Sequence, residues 1–293
     1  MWEELAERFQ QLYLTPGEEG AAQYRAVVRQ GKDAARKDLS GFIQHPADCM
    51  TVERTPAGEV SAVCVHERAD FERFLQIMAN RCQRVIIPAT QGAAILDGLI
   101  DWPRVRAHKA AYMAETMSHG ETPDWNGEFR RFTADKRNYT TALIVLSWGP
   151  YSGLDAGETG LSREEWLEKS FTIRKYHECT HFVCRRLYPE KKDAVWDELV
   201  ADAVGLLAAF GTYRPDLAEK LLGIREDGYA GGRLENYVKD GTGPEGWVPY
   251  CRTLVRYLEK AARALNGASP YDLAVHMEER KEKIESSLPA SGI

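Results

Sequence analysis

Residues from Arg163 to Leu187 contain neither Gly nor Pro, and the run is bounded by signals for starting and stopping a helix. Ser162 and Glu165 have capping-box spacing, and Leu161 and Trp166 occupy the two positions of a hydrophobic staple. Arg185 and Arg186 suit the negative end of the helix dipole, and Pro189 ends the run. Inside this long helix the chain reads His177-Glu178-Cys179-Thr180-His181. Positions i and i+4 share one helix face, so both imidazoles can reach a single metal ion. Glu178 then projects beside that ion, where a carboxylate can take a proton from a bound water.

A second helix is expected from Asp193 to Phe210, closed by Gly211 with Pro215 beyond it. Glu198 and Asp202 form an i, i+4 pair on a face shared with Val195, Leu199, Val200 and Ala203. Carboxylates in such surroundings are costly unless paired or bound to a metal. A catalytic zinc takes three protein ligands and keeps a fourth position open. His177 and His181 supply two, and Glu198 is the candidate third. Asp202 is placed to accept a hydrogen bond from the outer nitrogen of a ligand histidine. Asp197 faces elsewhere on the helix. Cys184, three residues after His181, is read as a packed thiol, because three ligands from one straight helix fit a tetrahedral ion poorly.

HECTH followed by E-L-V-A-D resembles the thermolysin-like gluzincins, in which H-E-x-T-H is followed one helix later by E-x-x-x-D. The resemblance covers Ile173 to Leu207. It implies a zinc site with Glu198 as third ligand and Asp202 behind it, one Zn2+ per chain, and a peptide or protein substrate. The metzincin continuation would need Gly at position 184 and His at position 187, where this chain has Cys184 and Leu187. The upstream Asn-Ala pair and the downstream catalytic His of gluzincins have no counterparts at matching positions.

Composition sets the remaining bounds. A chain of 293 residues can bury a substantial core as one large domain or two lobes. A formal net charge of −6 argues against nucleic acid or an anionic membrane as partner. The first residues are acidic and amphipathic, without the basic and apolar regions of a signal peptide. Apolar runs such as Ala142 to Leu146 are too short to span a bilayer. Six cysteines lie at scattered positions, which suits free thiols in a reducing compartment. The expected location is cytoplasmic.

The pattern predicts an α+β, zincin-like chain. Residues 1–160 form an N-terminal α/β lobe, and 161–293 the zinc-binding helices with a helical C-terminal lobe. Helices are expected over 1–14, 18–38 and 71–80, two more over 93–117, and others over 215–223, 249–265 and 270–288. Strands are expected over 59–66, 84–87, 129–134 and 139–148. The stretch 140–148 is the candidate edge strand along which an extended peptide would add, although so apolar a run equally suits a central strand. An oxyanion partner is sought among Tyr151, Tyr188, Tyr213, Tyr229, Arg233 and His276. Tyr229 and Arg233 are preferred because they lie in the Gly-rich stretch 228–246. His45, His66, His108 and His119 show no ligand spacing and are expected on the surface. The function these features imply is a zinc-dependent hydrolase, most simply a metallopeptidase with Glu178 as base. The alternatives are a zinc hydrolase of non-peptide amides, or a non-catalytic regulatory or interaction protein stabilised by zinc.

Overall fold

The computed structural model describes residues 1–190, 193–238, 241 and 243–289, and it is an α+β structure. The chain divides into two units. The first comprises Met1–Thr51, Val63–Pro88 and Ile95–Val145; the second comprises Val52–Ala62, Ala89–Ala94 and Leu146–Ile293. The expected boundary at residue 160 therefore differs from the division found, in which the unit holding the HECTH helix begins at 146 and takes in two short upstream pieces.

The helices of the first unit are α1 (Trp2–Arg8), α2 (Glu18–Gln30), α3 (Arg68–Met78), α4 (Trp102–Ser118) and α5 (Trp125–Thr133). Trp2, Leu5, Phe9, Phe71, Phe74 and Leu75 form its buried centre. A four-stranded sheet contains β1 (Cys49–Thr55), β2 (Gly58–Val65), β3 (Ala93–Ile100) and β4 (Thr140–Ser147), in the order β1-β2-β4-β3, and its strand residues fall in both units.

This order corrects the expected edge strand. β4 lies between β2 and β3, and the edges are β1 and β3. Ala142, Leu143, Ile144, Val145 and Leu146 are all buried. Burial of successive residues means that both faces of the strand are covered, as in a central strand. Three further expectations change. The first of the two helices expected over 93–117 is strand β3, where pairing with β4 overrides the helix propensity of Ala93, Ala94 and Leu96. The strand expected over 129–134 is the end of α5, whose N-cap Asp124 accepts from Gly127 N at 3.0 Å. Residues 84–87 form no strand.

The second unit is mainly helical: α6 (Arg163–Leu187), α7 (Ala194–Phe210), α8 (Pro215–Leu222), α9 (Gly243–Ala264), α10 (Pro270–Glu279) and α11 (Lys281–Glu285). A small antiparallel pair, β5 (Ile224–Arg225) and β6 (Gly228–Tyr229), lies between α8 and α9. The expected cap of α6 is formed in full: Ser162 N donates to Glu165 Oε2 at 2.9 Å, and Glu165 N to Ser162 Oγ at 3.2 Å. α7 starts on Asp193, whose carboxylate accepts from Trp196 N at 2.8 Å, and ends on Gly211. α9 begins at Gly243 and runs through Pro249, where the sequence suggested a start. Among the described residues no helix is long and apolar enough to cross a membrane. All six cysteines are free.

α6 and α7 form the most extensive helix pair of this unit. Gly205 allows the approach: a Cβ built there would lie 2.7 Å from the Ile173 carbonyl oxygen. From this crossing the helices run antiparallel. His177, one turn after Ile173, meets Asp202, which is nearly one turn before Gly205. His181, one turn further, meets Glu198. The crossing thus sets the register that brings the metal-ligand candidates of the two helices together.

Candidate metal centre

His177 Nε2 and His181 Nε2 are 3.0 Å apart. Glu198 sits across both of them, with Oε2 3.4 Å from His177 Nε2 and Oε1 3.3 Å from His181 Nε2. The two imidazole planes meet at 84°. Imidazole lone pairs lie in the ring plane, so perpendicular rings can both aim at one point. Donors at about 2.0–2.1 Å from a tetrahedral zinc lie about 3.3 Å from one another. The two nitrogen–oxygen separations match that value, and the nitrogen–nitrogen separation is slightly shorter. Two imidazoles and one carboxylate are also a common catalytic zinc donor set. The residues present therefore fit zinc.

His177 is held from behind. Its Nδ1 lies 2.9 Å from Asp202 Oδ1 and 2.9 Å from the Tyr151 hydroxyl. That hydroxyl donates to Asp202 Oδ1 at 2.7 Å and accepts from Arg233 Nη1 at 3.0 Å. Arg233 Nη2 pairs with Asp202 Oδ2. Counting protons fixes the tautomer. The single Tyr151 hydroxyl proton goes to Asp202, and the carboxylate has none to give. Nδ1 must therefore carry a hydrogen, which leaves Nε2 of the neutral ring with its lone pair toward the metal position. Tyr151 reaches this place because Arg174, buried in α6, donates to the carbonyls of Ser147, Gly149 and Pro150, and because Ser170 Oγ accepts from Tyr151 N.

The charges respond to this arrangement. Burial opposes protonation of His177, but its hydrogen bonds to Asp202 and Glu198 outweigh burial and raise its pKa to about 10. Burial would raise Glu198, yet the two histidines hold it below the usual carboxylate range. Asp202 is likewise lowered against burial, chiefly by Arg233 and then by His177. Without metal, the proton on His177 Nε2 balances these carboxylates, and a metal ion would displace it. Glu178 is partly exposed and makes no hydrogen bond or ion pair with the described residues.

The structure thus brings His177, His181, Glu198 and Asp202 together. The two residues preferred as oxyanion partners are placed differently. Tyr229 lies outside the cluster: its hydroxyl accepts from Gly232 N and donates to Gly232 O, each at 2.7 Å. Arg233 reaches the cluster, but Asp202 and Tyr151 occupy its Nη groups on the far side of His177. Tyr151 was considered for the oxyanion and instead supports His177. Tyr237, absent from the candidates the sequence offers, lies near Glu198: burial raises its pKa, and the neighbouring Glu198 carboxylate adds to the rise. The i, i+4 spacing of Arg233 and Tyr237 was the available signal for it, since one turn of chain delivers both to the centre. Cys184 is a partly exposed thiol whose pKa is raised chiefly by desolvation.

His45 and His66, expected on the surface, form a second group with Asp48, and their potential ligand atoms also lie within 4.8 Å of one another. Here the rings stack, 5.1 Å apart and 21° from parallel. Rings stacked face to face hold their in-plane lone pairs in separate, nearly parallel planes, which converge poorly on one ion. Asp48 is already engaged, accepting from His66 N at 2.8 Å and from Trp2 Nε1 at 2.9 Å. His45 Nδ1 accepts from Ala47 N at 3.2 Å. This group ties α1 to the end of β2 and does not present a metal-binding cup. His108 is likewise engaged, 2.6 Å from Glu128.

A family model described as a family of unknown function, DUF7005, matches residues 1–286, and the chain belongs to that family. No curated protein and no solved structure matches it.

Proposed function

We propose that this chain is a zinc-dependent hydrolase with a zincin-like arrangement, acting most simply as a metallopeptidase. The observation that carries the reading is the convergence of His177 Nε2, His181 Nε2 and the Glu198 carboxylate, with Glu178, the next residue on the same helix, making no hydrogen bond or ion pair with the described residues. A purely structural centre has no need of a free carboxylate at that position.

Bound to these three residues, zinc would lower the pKa of a water toward neutrality and polarise a carbonyl oxygen. Glu178 takes the proton of the attacking water and passes it to the leaving nitrogen. Asp202 and Tyr151 hold the Nδ1 proton of His177, so that the ring keeps one orientation throughout. The Tyr237 hydroxyl, beside Glu198, is the candidate to donate a hydrogen bond to the substrate oxygen as negative charge develops there. It takes the place first assigned to Tyr229 and Arg233.

The test is hydrolysis of a mixed peptide library by the zinc-loaded protein. Cleavage that stops with a chelator and returns with added zinc supports the reading. A protein that holds zinc but turns over no peptide, amide or ester would move the function to the non-catalytic alternative. That alternative is favoured by the burial of the donors, whose side chains are only 6%, 12% and 18% exposed for His177, His181 and Glu198.

A further inference from the structure

Arg233 comes from neither of the helices that supply the metal donors. It belongs to the segment from Gly223 to Tyr237, which folds back on itself through the β5–β6 pair. Two glycines make that path possible. Gly223 has φ +87° and Gly232 has φ +155°. A Cβ on Gly232 would lie 2.7 Å from Gly223 Cα, and a Cβ on Gly223 would collide with the carbonyl oxygen of Gly231. The two backbones therefore cross in direct contact, where only glycine fits. The Tyr229 hydroxyl clips Gly232 through both its N–H and its carbonyl. Ile224 and Leu234 are buried and anchor the two sides of the crossing. The next residue after the crossing is Arg233, whose guanidinium meets Asp202 and Tyr151. One turn later Tyr237 reaches Glu198. The segment thus touches the candidate centre twice, once behind His177 and once at the third ligand.

We infer that docking of the Gly223–Tyr237 segment and occupancy of the metal centre are one coupled equilibrium, with Arg233 and Tyr151 acting as positioning residues for His177. The inference rests on the zinc reading above. Docking places Arg233 on Asp202 and on the Tyr151 oxygen, which leaves the hydroxyl proton directed to Asp202 and Nδ1–H of His177 as the remaining donor. With the segment undocked, Tyr151 and Asp202 lose this clamp, and His177 loses the support that aims Nε2. Because linkage is reciprocal, metal binding must hold the segment down by the same free energy with which docking favours the metal.

The experiment measures zinc affinity, by competition with a chromophoric chelator, and amide hydrogen exchange over 223–238 in the full chain with and without zinc. Zinc is expected to slow exchange in this segment. Gly232→Ala, which keeps every ligand and every side chain behind the ligands, is expected to open the segment and weaken zinc by about 10- to 100-fold. Arg233→Met should do the same, and Arg233→Lys should recover part of the loss. Tyr151→Phe leaves the Asp202–Arg233 pair in place and should alter the visible spectrum of the cobalt-substituted protein. Should Arg233→Met fail to fold by circular dichroism, Gly232→Ala and Tyr151→Phe decide the matter. Exchange indifferent to zinc, or a Gly232→Ala segment that opens with zinc affinity unchanged, would overturn the coupling alone. Wild-type protein that binds no divalent metal would overturn the zinc reading and the coupling with it.

Discussion

Two groups of side chains in this chain combine a pair of histidines with a carboxylate in close quarters, one in each unit. By residue type and proximity they are alike. They differ in the directions of their lone pairs and in what the carboxylate is already doing. His177 and His181 stand at 84° with their Nε2 atoms face to face, and Glu198 spans both. A separate carboxylate, Asp202, takes the supporting hydrogen bonds. In the other group His45 and His66 are stacked, and Asp48 alone serves as acceptor for a backbone amide and a tryptophan. The comparison teaches that a metal centre needs two layers of groups: donors that aim at one point, and others that hold them there. In the first unit the hydrogen bonds of Asp48 tie α1 to the end of β2.

The largest difference between the groups should appear in chemistry. Glu178→Gln keeps the size of the side chain but cannot accept a proton. Zinc content and melting temperature should stay as in the wild type, while peptide turnover falls by about 100- to 10,000-fold. His66→Ala should leave turnover unchanged. Steady-state rates and metal analysis on the two variants check both halves of the contrast, and a Glu178→Gln protein with full turnover would remove the assigned base.

The supporting carboxylates offer the next contrast. Asp202→Asn should weaken zinc by about 10- to 100-fold, since the amide cannot match the carboxylate toward His177 and Arg233. Asp48→Asn should cost about 1–3 kcal/mol of folding stability through its buried acceptor positions and leave zinc affinity as it was. Chelator competition and denaturant unfolding on both proteins separate these effects.

A smaller effect comes with pH. His177 is raised to about 10 in the metal-free protein, above its ordinary value of about 6.5. The sign follows directly. Its pairing with Asp202 and Glu198 stabilises the metal-free fold fully below the ordinary value and is lost as pH rises through the raised one. Zinc requires the same ring nitrogen free of its proton. The rise in melting temperature on adding zinc should therefore grow between about pH 6 and about pH 9. Scanning calorimetry with and without zinc across that range measures it, and His181→Ala should abolish the rise while His66→Ala preserves it.

The parts of this centre that were legible in the sequence are those set by local rules. The Ser162–Glu165 cap, the i, i+4 histidines and the i, i+4 Glu198–Asp202 pair each depend on one helix and its period. Their meeting across α6 and α7 was legible through the resemblance of the two helices together. Tyr151 and Tyr237 were not readable in their present roles. Tyr151 lies 26 residues before His177 and is delivered by a loop held through Arg174 carbonyl contacts, which no spacing announces. In the Gly-rich stretch the sequence points to Tyr229 and Arg233 and not to Tyr237, because the Gly223–Gly232 crossing that sets the path of this segment is a tertiary contact. The sheet shows the same limit. The apolar run of β4 allowed an edge or a central place, and β3 carries helix-forming residues that pairing overrides.

The central claim is that one of the two histidine groups binds metal and the other does not. Its most direct test is the number of zinc ions per chain after metal-replete expression and exhaustive buffer exchange, measured by elemental analysis on three proteins. The account predicts about one zinc in the wild type, about one in the double variant His45→Ala/His66→Ala, and none in His177→Ala/His181→Ala. Zinc that disappears with His45 and His66 while surviving the loss of His177 and His181 would contradict it outright.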